Sequence, residues 1–397
     1  MSLIYLDNNA TTKVDPEVLE AMLPYFKEEY ANPSSIYEFA KRSNHAVRDA
    51  RGVIKDFFNA KDEKEITFTS CGSESANTAI RGVLNMNKNK RHIITTKVEH
   101  PCVLNLYQTL EKEGYKVDYI GVNSNGELDL AQLEEAINPD TALVSVMYAN
   151  NETGVIFPIE KISEIIKSKN PETKFYVDAV QVTGKIPIDV QALGVDLMGI
   201  SGHKFHAPKG IGALYVNSKT LITPLIIGGH QERGKRAGTE NVPYIVGMAK
   251  AAELATDSLK YEATEIKRLR DKLEANILKN VFNARVNAGI VNRVPNTTNI
   301  GFEYIEGELI LLHLSDLGIC ASSGSACTSG SLEPSHVLRA MNVPFTAIHG
   351  SIRFSLSKFT TEKEVDYVCE KMPAIIDKLT SISPFQDELE ALKRLKQ

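Results

Sequence analysis

From about residue 64 to residue 216 the chain alternates short β-rich runs with helical patterns, and few architectures accommodate that order. The runs are "EITFTS", "RHIITT", "YKVDYI", "TALVSVMYA", "KFYVDA", "DLMGIS" and "GALYV". Between them fall a helix from about Glu74, one after Pro101, "DLAQLEEAI", "IEKISEIIKSKN" and a short helical turn. Strands separated by helices pair side by side and in the same direction, because each helix carries the chain back across a sheet face. The expected fold class is therefore α/β, a mainly parallel sheet with helices on both faces. Loops at the carboxyl ends of its strands should carry the site.

Beyond about residue 240 the pattern changes to long charged helices in "VPYIVGMAKAAELATDSLKYEATEIKRLRDKLEANILKN", then "TNIGF", the helix "GELILLHLSDLG" and the strand "SIRFSLS". That reads as a smaller α+β domain. The expected division is an N-terminal segment 1–15 packing on the small domain, a large domain 16–258 and a small C-terminal domain 259–397. Asp15 and Pro16 fit the N-cap and first position of the first helix. "FQDELEALKRLKQ", at the end, reads as an exposed amphipathic helix.

Composition narrows the function class. The chain has 397 residues, 43% hydrophobic and 24% charged, with a net charge of −5 and no long block of like charge. Neither a nucleic-acid partner nor a membrane span is expected. The first 20 residues carry Asp7 and lack both a basic lead and a long apolar run, so they do not read as a signal peptide. A cytoplasmic location is the expectation. The five cysteines, at 71, 102, 320, 327 and 369, contain no CxxC pair, which argues against a disulfide framework or a structural zinc site.

The chemistry-bearing residues sit where strands end. "KFYVD" finishes on Asp178, and "DLMGIS" runs into Ser201, Gly202, His203 and Lys204. A buried Asp and a Lys on neighbouring strands match a pyridoxal phosphate site, with Lys in Schiff-base linkage and Asp on the pyridinium nitrogen. A partly buried salt bridge is the plainer alternative. Ser70, Cys71, Gly72 and Ser73 lie between a strand and a helix, as a phosphate cradle requires, although a simple capped helix explains them too. His100 and Asn151 follow other strands, Gln181 lies in the loop "DAVQ" after Asp178, and Arg353 in "GSIRFSLS" suits either a substrate carboxylate or a surface ion pair. Cys327 stands in "SSGSACTSGS", a segment of small, hydroxyl-bearing residues.

Taken together, "YLDNNATT", "ANPSS", "VEHP", "NNETGVI", "VDAVQ", "SGHKFHAPKGIGALYV", "GGHQERGKRAGTEN", "SSGSACTSGSLEPSHVLRA" and "IRFSLS" resemble the cysteine desulfurases of the NifS/IscS group, over nearly the whole chain. The resemblance implies the class V aminotransferase-like architecture of pyridoxal phosphate enzymes, fold type I, akin to aspartate aminotransferase. It implies that Lys204 is the Schiff-base lysine, that Asp178 meets the pyridinium nitrogen and that Gln181 faces the ring hydroxyl. His100 stacks on the ring and serves as acid or base, and Asn151 is a ring neighbour. Gly72, Ser73, Ser201 and His203 take the phosphate, with Thr239 supplied by the second subunit of a homodimer, and Arg353 clamps the carboxylate of L-cysteine.

In that family Lys204 would move the α-proton and Cys327, as thiolate, would take the sulfur as a persulfide, leaving alanine. Gly324, Ala326 and Gly330 then read as a flexible loop on which Cys327 travels. The acceptor implied is an iron–sulfur scaffold protein, with Cys327 a transient ligand of a shared [2Fe-2S] cluster. Two places depart from the family's usual pattern: the cradle, where Cys71 and Ser73 stand at positions in which Gly and Thr are frequent, and Tyr37, where His is. Cys71 is expected to be a small buried residue. A selenocysteine lyase or aminotransferase without a thiol step, and a non-enzymatic scaffold, are the competing readings.

Overall fold

A computed structural model describes residues 3–289, 291–323 and 334–395. The first strand, β1 (Ile4–Tyr5), precedes seven that form one sheet: β2 (Ile66–Thr69), β3 (His92–Thr96), β4 (Lys116–Ile120), β5 (Thr141–Met147), β6 (Lys174–Asp178), β7 (Leu197–Ser201) and β8 (Gly212–Val216). Their order is β2-β8-β7-β6-β5-β3-β4. Only β8 runs against its neighbours, so β2, β3, β5, β6 and β7 all deliver their carboxyl ends to one edge. The mainly parallel α/β sheet read from the sequence is what forms. Strands β5, β7 and β8 are buried at every position, as expected for a sheet covered on both faces.

Two apolar clusters cover those faces. One side packs helices Gly72–Met86 and Pro101–Lys112 through Ile80, Val83, Leu106 and Tyr107. The other packs Glu38–Phe58, Ile159–Lys169 and Val242–Tyr261 through Ile54, Phe58, Ile162 and Met248. A third cluster forms the C-terminal unit. There β9 (Ala284–Val286), β10 (Thr297–Phe302), β11 (Ile319–Cys320), β12 (Ser322–Ser323) and β13 (Ser351–Ser355) contribute a four-stranded antiparallel sheet ordered β12-β13-β10-β9, while β11 pairs with β1.

The N-terminal segment joins this third cluster: β1 runs parallel to β11, and Ile4 and Leu6 pack with Phe302, Ile319 and Phe354. Residue 258 lies within helix Val242–Tyr261, which continues through a π-turn, Glu262–Ile266, into helix Lys267–Asn280. Asp15 caps helix Pro16–Met22 by accepting from the Glu17 amide. The last helix, Gln386–Leu395, buries Leu389 and leaves Leu395 exposed. Among the described residues no helix is long and apolar enough to cross a membrane.

Candidate active site

At the shared sheet edge, a cavity of about 290 Å³ is lined by Gly72, Ser73, His100, Asn151, Asp178, Gln181, Ser201, His203 and Lys204, together with Ala10, Cys71, Cys102, Met147, Ala149 and Val180. Each of the strands β2, β3, β5, β6 and β7 hands its following loop to this space. That convergence is why residues spread over 130 positions meet.

The cradle begins where β2 ends. Helix Gly72–Met86 starts two residues earlier than the sequence suggests, because Cys71 caps it: its Sγ accepts from the Glu74 amide at 3.4 Å. Cys71 is half-buried in the cavity wall rather than enclosed. Glu74 turns back to accept from the Ser70 amide at 2.8 Å and is held by Arg236 at 3.0 Å. Those contacts hold its carboxyl below the usual range against the opposing effect of burial. A side chain at Gly72 would bring its Cβ to 3.0 Å from Val180 Cγ2 and 3.5 Å from Ser201 Cβ, so glycine keeps the wall here open.

Burial sets the electrostatics. Asp178 is enclosed and its carboxyl is pushed up to about 6, with its own loop amide at Val180 and the charge of Lys204 opposing the shift. His100 is pushed down to about 4 by burial and then by Lys204 and His336, so its ring is neutral near pH 7. Its Nδ1 accepts from the Cys102 amide at 3.2 Å, which leaves the proton of the neutral ring on Nε2. Burial also pushes His203 down to about 4, and its Nδ1 lies 3.1 Å from Thr11 Oγ1. Lys204 donates to the main-chain oxygens of Asn9 at 2.7 Å and Ala10 at 2.8 Å.

Arg353 does not line the cavity but reaches its rim from β13. One Nη donates to Asn151 O at 3.0 Å and the other pairs with Asp7 at 2.7 Å, while Nε is buried with no hydrogen-bond partner. Thr239 is exposed and lies outside this cavity, in a separate one of about 260 Å³ with Ser70, Glu232 and Arg236. Tyr37 is 54% exposed ahead of helix Glu38–Phe58. Cys327 lies outside the described residues. No cluster of three metal-ligating side chains exists among the described residues.

Sequence reasoning missed Asn9. Its main-chain oxygen accepts from Lys204 and, at 3.0 Å, from Gln181, while its side-chain nitrogen donates to Asn151 O at 3.2 Å and Thr297 Oγ1 at 2.9 Å. It also missed Glu99, fully enclosed and pushed up to about 8 by burial, and Lys185, a buried amine bonded to Asn9 and Gln181. No local pattern marks Asn9 or Lys185, which meet across 176 positions, or the enclosure of Glu99, which depends on Met147 48 positions away.

The sheet order, the amine and carboxylate at its edge and the glycine-lined cradle define a class, and the chain belongs to the aminotransferase class-V family, whose family model matches residues 4–368. The chain is similar to a cysteine desulfurase of a Nostoc species, 57% identical over 98% of this chain and 96% of the relative. It is similar also to cysteine desulfurase NifS of Azotobacter vinelandii, 51% identical over 97% and 95% of the two chains. A solved structure named as a NifS-like protein superimposes with a TM-score of 0.90 at 41% identity, covering 95% of this chain and 100% of that one. Pyridoxal phosphate is the cofactor expected of this family. The donor set fits it: an open helix N-terminus with hydroxyl and imidazole groups for a phosphate, a buried carboxylate for a ring nitrogen, and an amine for an aldehyde.

Proposed function

We infer that the chain is a pyridoxal phosphate-dependent cysteine desulfurase that converts L-cysteine to L-alanine and transfers the sulfur, through a persulfide on Cys327, to acceptor proteins. The observation that carries this reading is the single cavity in which Lys204, Asp178, His100 and Gln181 face the Gly72–Ser73 cradle. The 57% identity to a cysteine desulfurase supports the substrate. Bound there, pyridoxal phosphate supplies an electron sink for the electrons of the substrate's Cα–H bond.

The chain's own residues do the rest. Arg353 takes the substrate carboxylate through its guanidinium, whose Nε is the buried donor left to make that bond. Lys204 Nζ takes the α-proton, and neutral His100 offers an Nε2 proton toward the reacting centre. Cys327 Sγ attacks the substrate sulfur: an S–S bond forms, the Cβ–S bond breaks and Cβ receives a proton. A thiol and cysteine thus become a persulfide and alanine, with no external oxidant. Asp178 holds the cofactor's ring nitrogen, Asn151 and Gln181 flank the ring, and Gly72, Ser73, Ser201 and His203 hold the phosphate.

Thr239, exposed and outside the cavity of its own chain, belongs in this reading to the site of a second copy, making the enzyme a homodimer. The acceptor is an iron–sulfur scaffold protein, a [2Fe-2S] cluster being cargo that Cys327 holds transiently, in the cytoplasm. The chain divides into segment 1–15, large domain 16–258 and small domain 259–397, the first supported by the β1 pairing with β11. The test is incubation with L-cysteine followed by intact mass. One added sulfur on the wild type, absent from Cys327→Ala along with alanine release, is the expected result. Undiminished alanine release by Cys327→Ala overturns the thiol step, and undiminished cleavage of selenocysteine alone would favour a lyase.

A further inference from the structure

Lys185 lies in the turn after β6, four residues beyond Gln181, and only 6% of its surface is exposed. Its Nζ donates to Gln181 Oε1 at 3.0 Å and to Asn9 Oδ1 at 2.9 Å. An ammonium offers three donors and no acceptor, and even a neutral amine keeps two N–H groups, one for each of these oxygens. Both amides turn their oxygens toward Lys185 and their nitrogens away, the arrangement that the ammonium form enforces.

The consequence reaches the cavity. Gln181 Nε2 faces the Asn9 main-chain oxygen at 3.0 Å, and that oxygen also receives Lys204 Nζ at 2.7 Å. Asn9 Nδ2 donates to Asn151 O, the same oxygen that accepts from Arg353. The buried amine thus holds the polarity of the Gln181 amide, which donates to the Asn9 main-chain oxygen that also receives Lys204, and, together with Asn296 Nδ2 at 3.2 Å, that of the Asn9 amide, which donates to the Asn151 oxygen shared with Arg353.

We propose that Lys185 is a positioning residue of the cofactor site: it holds the Gln181 and Asn9 side-chain amides so that Gln181 presents its N–H groups to the bound group and to the Asn9 main-chain oxygen that receives Lys204. This rests on the reading of the cavity as a pyridoxal phosphate site. Packing alone does not account for a lysine here. Burial and the charges of Lys204 and Arg353 push its amine down to about 7, with Glu262 pulling the other way, so the folded chain meets a cost that a methionine of similar length would avoid. What methionine cannot do is choose the orientation of two amides.

The test is titration of the cofactor-free protein with pyridoxal phosphate, followed by absorbance, in a cycle of Lys185→Met and Gln181→Leu. Lys185→Met is expected to weaken cofactor binding about tenfold, as for loss of one hydrogen bond to a charged group. In the Gln181→Leu background the same change should cost less than about threefold, because the amide it orients is gone. A wild-type affinity in Lys185→Met, or tenfold losses in both backgrounds, overturns the proposal. Should Lys185→Met not fold, Lys185→Gln takes its place: its amide can present either donor or acceptor to Gln181, so a smaller loss with the same background dependence is expected, and the same two results overturn it. A wild-type protein that binds no pyridoxal phosphate overturns the site reading as well, and shows itself before any substitution.

Discussion

Glu99, in the loop after β3, is completely enclosed against the end of β5. Its Oε1 accepts from Thr96 Oγ1 at 2.8 Å and from the Met147 amide at 2.9 Å, and its Oε2 has no hydrogen-bond partner. Burial pushes the carboxyl from 4.5 up to about 8, with the nearby charge of Asp178 adding to the shift and the two hydrogen bonds opposing it. The folded state therefore binds this proton more tightly than the unfolded chain does. Glu99's contribution to stability is fully present below about pH 4.5 and is lost as pH rises through about 8. Within that window the loss runs at about 1.4 kcal/mol per pH unit, or about 3–4 kcal/mol between pH 5 and pH 8.

Glu99→Gln keeps the shape and both accepting contacts but cannot ionise. Urea unfolding followed by far-ultraviolet circular dichroism, with both proteins in the same cofactor state, should show the two nearly level at pH 5. The variant should be the more stable at pH 8 by a few kcal/mol. Glu152 and Glu262, buried carboxyls at about 7 whose charges do not act on Glu99, titrate in both proteins and cancel in the difference. Parallel stability curves across this range would refute the reasoning, for they would mean that Glu99 ionises in the fold without penalty.

Two further outcomes follow from the site. Arg353→Leu removes the guanidinium at the cavity rim and should lower kcat/KM for L-cysteine about a hundredfold, as expected for a lost charge-assisted contact to the carboxylate, while cofactor absorbance is retained. A wild-type KM would remove Arg353 from substrate binding. Lys204→Ala and Thr239→Ala chains, each impaired alone at limiting cofactor, should regain activity when unfolded and refolded together. One site of the mixed dimer then carries Lys204 from one chain and Thr239 from the other. Absence of any gain on mixing would place Thr239 in its own chain's chemistry or in none.

The alternation of apolar runs and helical patterns determined the parallel sheet, because the burial of its central strands on both faces is written locally as continuous β-rich runs. The same locality put Asp178, Lys204, His100 and the Gly72 cradle at strand ends, since a strand's last residues point the following loop wherever the sheet edge lies. Cys71 shows the limit of such reading: helix periodicity locates the helix, but a thiol serving as its cap is a matter of local geometry, and the start moved to Gly72.

Everything that depends on pairs far apart in the chain was decided by the tertiary structure. Asn9 bonds to Lys204 across 195 positions and to Thr297 across 288, and Arg353 reaches Asp7 across 346 because β13 lies beside the segment following β1. The ionisation of Glu99 and Asp178 and the exposure of Thr239 likewise follow from which surfaces the folded chain encloses. Sequence patterns report periodicity along one chain, whereas desolvation and amide orientation arise only when distant segments close around the same volume.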